Sequence, residues 1–241
     1  MTPPTTRVAT VNLFYGLPPA AFRIGLTEVL RDKPDVVVIQ EAGTARDAVI
    51  QQVATLYGYE WARAPGGGPV MWVRNLYTLR SCTAVRLAGR EFVGHLPGRK
   101  SRLPASIATA IVLADEVAGG DRAVLDFHLT AEIQDMQTGG YKRDLAHRLR
   151  VMRHKRERRR LGRRGRMQQR RGRTVYPAGD GNFHGMTLRG FRNSWTNQSF
   201  GTLGPRQVDI VFAATKPFQL WTVETPSDHD ALVVTYKETE G

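Results

Sequence analysis

Val36-Val37-Val38-Ile39-Gln40-Glu41 is the stretch that decides the fold class. An unbroken run of four β-branched apolar residues is typical of a strand that is covered on both faces. The run follows a break at Lys33-Pro34-Asp35, and residues 18–30 before that break carry apolar side chains at helical spacing. Residues 7–13 alternate and are rich in β-branched residues, so they predict a first strand. The order strand, helix, strand predicts an α/β protein.

A polar residue stands at the end of each of these two strands. Asn12 ends the first and Glu41 ends the second. If the strands are neighbours in one sheet, the two side chains lie close together. The alternatives are that Asn12 is a turn residue and that Glu41 is an acid at a helix start.

The elements downstream are predicted by the same signals. Thr44 with Asp47 resembles a capping box, and Gly58 is a plausible helix end. The turn at 119–121 predicts a hairpin, and His128 closes its second strand. A histidine there is a site candidate or a structural residue. Further strands are predicted at 69–73, 83–87, 108–113 and 123–129.

The net charge of +13 is unevenly distributed. Residues 142–173 hold 16 of the 35 basic residues and two of the 22 acidic ones, so the rest of the chain is close to neutral. A neutral body with one cationic segment suggests a polyanionic partner such as nucleic acid or an anionic membrane surface. The alternative is a solvated basic segment.

The cationic segment is predicted to change character along its length. Tyr141, Leu145, Leu149 and Met152 follow a helical stripe, which predicts a helix packed on the body. In 154–173 the arginines are dense and glycines interrupt them, so a cationic extension or mobile loop is expected there.

Two later motifs carry polar residues that need an explanation. Gly179-Asp180-Gly181-Asn182 predicts a tight turn with close backbone approach. Asp209 lies inside the strand predicted at 207–212, and a buried carboxylate needs a partner. His229, in the turn Ser227-Asp228-His229 before an apolar strand, is the natural candidate.

The combined set of polar residues favours phosphate-ester chemistry. Carboxylates and carboxamides dominate it, and oxygen-rich ligand sets suit Mg²⁺ or Mn²⁺ rather than zinc. A divalent metal would neutralise phosphate charge while an acid activates water. The set consists of Asn12, Glu41, His128, Asp180, Asn182, Asp209, Asp228 and His229.

Taken in their order along the chain, the motifs that contain these residues resemble those of the endonuclease/exonuclease/phosphatase superfamily. That superfamily includes deoxyribonuclease I-like and exonuclease III-like enzymes. The resemblance spans residues 7–236. It implies one domain over 1–241, a four-layer α/β sandwich of two mixed β-sheets face to face between helices. The arginine-rich segment at about 142–173 would be an extension of that domain.

The resemblance also implies roles for the polar residues. Glu41 would bind the metal, supported by Asn12 and Asp228. Asp180 would position or deprotonate the attacking water, and Asn182 would hold the nucleophile. The remaining catalytic residues, His128 and the His229–Asp209 pair, would contact the phosphate.

Two features depart from the superfamily pattern. Gly181 stands where a bulky residue is usual, which predicts a looser Asn182. The arginine-rich segment is not part of the pattern, and substrate choice is expected to depend on it. The expected nucleic-acid-binding residues are Arg99, Lys100, Arg102, Arg156, Arg159, Arg160, Arg163 and Arg164.

The sequence thus favours a Mg²⁺-dependent nuclease, with Mn²⁺ as a possible substitute, acting on DNA or RNA. The alternatives are a phosphatase or phosphodiesterase of inositol phosphates or lipid headgroups, and a non-catalytic nucleic-acid binder. Cys82 is the single cysteine, residues 1–6 lack the basic and apolar regions of a signal peptide, and no apolar run approaches the length that crosses a bilayer. A cytoplasmic location is therefore expected, and a monomer is expected as well.

Overall fold

Two six-stranded mixed sheets face each other in the computed structural model, which describes residues 5–94, 101–130, 145–195 and 198–237. The first sheet has the strand order β13-β14-β1-β2-β4-β3. Its strands are β1 (Thr5–Asn12), β2 (Val36–Gln40), β3 (Tyr59–Arg63), β4 (Pro69–Val73), β13 (Gln219–Val223) and β14 (Ala231–Lys237). β1 is parallel to β2 and antiparallel to β14.

The second sheet has the order β11-β12-β10-β9-β8-β5. Its strands are β5 (Tyr77–Ala88), β8 (Ser106–Asp115), β9 (Asp121–His128), β10 (Thr174–Asp180), β11 (Arg192–Asn193) and β12 (Asp209–Ala213). β10 is parallel to β9 and antiparallel to β12. A separate two-stranded ribbon pairs β6 (Glu91–Phe92) with β7 (Arg102–Leu103). The hairpin predicted at 119–121 joins β8 to β9 and is confirmed.

Strand β2 explains why the sheets stack as they do. Val36 and Val38 point into the core between the sheets, whereas Val37 and Ile39 pack under the helices. Those helices are α1 (Pro19–Arg31) and α2 (Asp47–Tyr57), and a short 3₁₀ turn, Thr44–Arg46, precedes α2. The prediction that this strand is buried on both faces is confirmed, because all five of its residues are buried.

The second sheet is covered by α3 (Leu145–Gln169), which packs against β5, β9 and β10 and completes the four layers. The expectation of a mobile extension over 154–173 is therefore wrong. The prediction of a helix packed on the body at the start of this segment is confirmed, but the predicted apolar stripe is not its buried face, because Leu145 and Met152 are 66% and 54% exposed. Tyr141 lies outside the described residues.

Polar groups anchor α3 together with a few apolar contacts, such as that of the fully buried Leu161. Glu157 is fully buried and accepts hydrogen bonds from the Thr130 amide at 2.9 Å and from the Thr130 hydroxyl at 2.7 Å. Arg153 donates to Glu157 at 3.0 Å and to Glu91 at 3.1 Å. Arg150, also fully buried, donates to the carbonyl of Val93 at 2.5 Å. Hydrophobic periodicity does not reveal such a helix, because three of its buried residues are charged and most of the others are small or polar.

One further expectation fails at the start of α2. The capping box of Thr44 and Asp47 is absent, since neither Gly43 nor Arg46, the residues that precede the two helical segments, makes a side-chain capping bond. Asp47 instead accepts a bond from Arg63 at 2.6 Å. Gly58 does end α2, with a left-handed φ of 78°. In the described parts of the chain, no helix combines the length and the apolarity that crossing a bilayer requires.

Candidate active site

Asn12 and Glu41 meet because β1 and β2 are parallel neighbours that end at the same edge. Asn12 Nδ2 donates to Glu41 Oε1 at 3.2 Å and to Asp180 Oδ2 at 3.1 Å. Asp180 belongs to the opposite sheet, so one amide group joins the two sheets. Glu41 adopts a left-handed φ of 59°, which turns the chain sharply out of β2.

The turn Asp180-Gly181-Asn182 holds its polar groups rigidly. The Asn182 amide donates to Asp180 Oδ1 at 2.6 Å, and Asn182 Nδ2 donates to Asp180 Oδ2 at 3.0 Å and to the Leu129 carbonyl at 3.1 Å. The expectation that Gly181 loosens Asn182 is wrong. Gly181 fits closely, since an added Cβ would lie 3.0 Å from Met186 Sδ.

His154 on α3 supports the same turn from behind. Its Nε2 lies 3.0 Å from the Gly181 carbonyl oxygen. Burial is the main cause that lowers the pKa of His154, so the neutral ring donates through Nε2. The helix therefore holds the backbone of the turn at 180–182 as well as covering the sheet.

His128 and Asp180 lie side by side at the ends of the parallel strands β9 and β10. His128 Nε2 is 3.5 Å from Asp180 Oδ2 and 3.9 Å from Glu41 Oε1. The side chain of His128 is 37% exposed, whereas that of Asp180 is 1% exposed. His128 is thus placed where it could reach a substrate over two carboxylates.

Asp209 and His229 form a buried pair, as the unpartnered acid in the strand predicted. His229 Nδ1 lies 2.7 Å from Asp209 Oδ2, which also accepts a bond from the Thr202 hydroxyl at 2.7 Å. Burial alone would lower the pKa of His229. The hydrogen bond and charge of Asp209, helped by Asp180 and Asp228, reverse this and raise the pKa to about 9. The imidazole is therefore a cation at neutral pH.

The carboxylate of Asp180 has a pKa that is raised toward neutral pH. Burial, reinforced by the charge of Asp209, raises the pKa of Asp180 to about 6. A carboxylate with a pKa in this range is a better proton acceptor near neutral pH than an ordinary aspartate.

Asp228 lies at the solvent side of the site. It is exposed, and its Oδ1 accepts a bond from Ser227 Oγ at 3.1 Å. Ser227 Oγ in turn accepts the Phe14 amide hydrogen at 3.1 Å. This bond ties the turn before β14 to the loop that follows Asn12.

The donor set fits a hard divalent cation. Asn12 Oδ1 and Asp209 Oδ1 are buried and lack hydrogen-bond partners among the described residues. Asp180, Asp209 and His229 each offer a ligand atom within 4.8 Å of the others. Asp209 Oδ2 is already bonded to Thr202 and His229. The oxygens of Glu41 and Asp180 also accept hydrogen bonds, but a carboxylate oxygen has a second lone pair, so they can bind an ion together with Asn12 Oδ1.

A second polar chain lies directly beneath the site. Gln40 Nε2 donates to Asp126 Oδ1 at 2.7 Å, and Thr10 Oγ1 donates to Gln40 Oε1 at 3.1 Å. Asp126 also accepts the backbone hydrogen of Gly68. Burial raises the pKa of Asp126 to about 7. This chain joins the two sheets a second time.

An open cavity of about 710 Å³ begins beside Glu41 and His128. It runs over the glycine loop at 66–68 to Leu103 and Arg153. The cavity is large enough to hold a substituent of a bound phosphate.

The residues expected to bind nucleic acid differ in their surroundings. Arg156 is ion-paired with Glu91, and Arg160 donates to the Leu87 carbonyl at 3.0 Å. Arg159, Arg163 and Arg102 are exposed, and Arg164 is half-buried. Arg99 and Lys100 lie outside the described residues.

Several residues that support the site were not predicted from the sequence. Trp195 Nε1 donates to the Asp209 carbonyl at 2.7 Å, and Thr225 Oγ1 donates to the His229 carbonyl at 2.7 Å. Thr202, Ser227 and His154 were missed as well. They reach the site from loops and from α3, and only the burial of Asp209 gave a sequence signal for such partners.

Solved structures with the same architecture cover nearly the whole chain. An endonuclease/exonuclease/phosphatase family protein from Bacteroides thetaiotaomicron has a TM-score of 0.67 at 12% identity, covering 98% of each chain. The human Nocturnin catalytic domain with bound sulfate anion has a TM-score of 0.65 at 16% identity, covering 97% of this chain and 94% of that one. D. rerio TDP2 complexed with single strand DNA product has a TM-score of 0.64 at 14% identity, covering 96% and 98%.

No protein-family model and no curated protein matches the sequence. The chain has the fold of the endonuclease/exonuclease/phosphatase superfamily. The resemblance predicted from the ordered motifs is thereby confirmed at the level of the fold.

Proposed function

We propose that this protein is a metal-dependent phosphodiester hydrolase that cleaves the backbone of DNA or RNA. The observation that carries the proposal is the convergence of Asn12, Glu41 and Asp180 from two sheets, with the Asp209–His229 pair beside them. The group combines an oxygen-rich ion site, a carboxylate of raised pKa and a cationic imidazole. These are the elements that hydrolysis of a phosphodiester needs.

Each residue has a role that follows from its position. Glu41, Asn12 and Asp228 would hold Mg²⁺, or Mn²⁺ in its place, and the ion would supply charge neutralisation of the phosphate. Asp180 would accept a proton from water as the water oxygen bonds to phosphorus and the leaving oxygen departs. Asn182 would orient that water.

The two histidines would act on the phosphate. His229 is held through Nδ1 by Asp209, which leaves Nε2 as the donor toward a phosphate oxygen. His128 would donate to a second oxygen from across the site. The cationic charge of His229 at neutral pH favours binding of the developing negative charge.

A nucleic-acid substrate is supported by two further observations. α3 presents exposed basic side chains, which favour phosphate-backbone binding. D. rerio TDP2, which shares the fold, was solved with a single strand DNA product. We propose that the exposed Arg102, Arg159 and Arg163 contact the backbone, while Arg156 and Arg160 are partly used in binding the body.

The test is a cleavage assay on single-stranded DNA, duplex DNA, RNA and a phosphoinositide, with Mg²⁺ or with EDTA. Glu41→Gln is expected to abolish cleavage of nucleic acid, and EDTA is expected to do the same. Glu28→Gln, a half-buried carboxylate on α1 paired with Arg31, serves as the matched control. Turnover of the phosphoinositide alone would contradict the substrate class. Binding of nucleic acid without any turnover would contradict the reaction.

A further inference from the structure

Two aromatic side chains stand exposed at the rim of the candidate active site. Phe14 is 39% exposed and Tyr15 is 72% exposed, although the preceding Leu13 is fully buried. Their ring centroids are 4.7 Å apart with an interplanar angle of 59°. Two adjacent apolar rings that face water gain burial free energy when another flat group packs over them.

The backbone fixes these rings relative to the site. The Tyr15 amide donates to Glu41 Oε2 at 3.3 Å, and the Phe14 amide donates to Ser227 Oγ at 3.1 Å. The Leu17 amide closes a turn onto the Phe14 carbonyl at 3.0 Å. The loop is thus held by Glu41 and by the turn that carries Asp228 and His229.

Gly16 gives the Phe14 ring its place. A Cβ added at Gly16 would lie 2.5 Å from Phe14 Cε1. The ring therefore rests on the glycine, and a methyl group there would have to push the ring aside.

We propose that the more exposed Tyr15, with the Phe14 ring tilted by 59° beside it, forms a platform on which one unpaired nucleobase stacks next to the scissile phosphate. A flat aromatic base is the part of a nucleic acid that gains most from such rings. A base inside a duplex is already stacked, so the platform selects single-stranded or terminal nucleotides. This inference rests on the proposed function, and it adds a substrate preference that the hydrolytic residues alone do not determine.

The test is a double-mutant cycle that pairs a substitution in the protein with one missing base in the oligonucleotide. Binding of a labelled single-stranded DNA is measured by fluorescence anisotropy in Ca²⁺ and again in EDTA. One abasic residue is placed at each position in turn. Wild-type affinity is expected to fall about 5- to 150-fold when the abasic residue reaches one position, which is the range of one stacked base.

Tyr15→Ala is expected to lose a similar factor with the intact oligonucleotide and to be insensitive to the abasic residue at that position. Tyr15→Trp is expected to keep the sensitivity, whereas Tyr15→Leu, which keeps an apolar side chain, is expected to lose it. Gly16→Ala is expected to weaken the effect by displacing the Phe14 ring. Phe218→Ala is the matched control, since Phe218 is 51% exposed beside Lys237 at the opposite end of β14.

The outcomes separate this inference from the proposed function. Equal sensitivity of wild type and Tyr15→Ala to the missing base, with cleavage intact, overturns the platform alone. A positive cycle without cleavage supports the platform and overturns the hydrolase. Absence of oligonucleotide binding overturns both.

Discussion

His229 is the residue in which position and acidity are most closely linked. Its Nδ1 contact with Asp209 at 2.7 Å keeps a proton on the ring well above the usual histidine range. The contact with Asp209 could be inferred from the sequence because a carboxylate inside a strand must have a partner. The contact of Thr202 with the same oxygen could not, because it depends on how an irregular loop returns to the sheet.

Replacing Asp209 with Asn is expected to lower the pKa of His229 from about 9 toward or below the usual histidine value. In the wild type, the raised pKa stabilises the fold fully below the unfolded-state pKa of about 6.5, and this stabilisation disappears as pH rises through about 9. The variant should not show that pH-dependent decline. Histidine NMR titration of the metal-free protein, with urea unfolding at several pH values, measures both effects.

The same substitution should reduce cleavage by about 10²- to 10⁴-fold if the cationic ring acts on the phosphate. Asp230→Asn is the control, because Asp230 follows His229 and is close enough to interact with its charge, but the hydrogen bond to the ring comes from Asp209. A His229 that titrates near 9 in Asp209→Asn would show that the pair is not the cause.

At the scale of elements, the sequence predicted the central strands well and α3 poorly. β1, β2 and β9 carry long apolar stretches whose burial is determined by composition, and they position Asn12, Glu41 and His128. β10, which positions Asp180, was not predicted as a strand. α3 buries Arg150, Arg153 and Glu157 and exposes Leu145 and Met152. Hydrophobic periodicity counts only apolar residues, so it does not detect a helix face of charged residues that are paired in the interior. Most of the helix was therefore expected to be a loop.

Glu157→Gln is expected to destabilise the fold by about 3–5 kcal/mol, since it leaves the buried Arg153 guanidinium without its full charge partner. Arg159→Gln, an exposed substitution on the same helix, should change stability by less than about 0.5 kcal/mol. Urea unfolding followed by tryptophan fluorescence measures the difference. Equal stabilities of the two variants would show that the ion pair does not anchor α3.

At the scale of the molecule, exposed positive charge is concentrated on one face. Four exposed basic residues of α3 follow one another at seven- or four-residue spacing, so they share one stripe on the outside of the second sheet: Arg148, Lys155, Arg159 and Arg163. The opposite outer layer, α1 and α2, carries no comparable stripe among its described residues. The protein therefore presents a basic side, while the site opens at the ends of the strands.

Changing these four residues to Gln should weaken nucleic-acid binding and reduce its dependence on salt. The slope of log affinity against log salt is expected to flatten by about 0.7–0.9 for each phosphate that the protein no longer neutralises. The matched control neutralises four exposed basic residues elsewhere: Arg23, Arg31, Lys33 and Lys216. Binding measured from low to moderate salt distinguishes the two sets, and identical slopes would remove α3 from the interface.

The hydrogen bond between Gln40 and Asp126 has a consequence for alignment. Interdigitated apolar side chains oppose the sliding of two facing sheets, but a hydrogen bond specifies their alignment more sharply because it requires a donor–acceptor distance of about 3 Å. A slip of one residue along a strand is about 3.3 Å, which is enough to separate Asn12 from Asp180. The buried Gln40–Asp126 bond lies one residue below the site and joins β2 to β9, so it fixes the position of one sheet relative to the other.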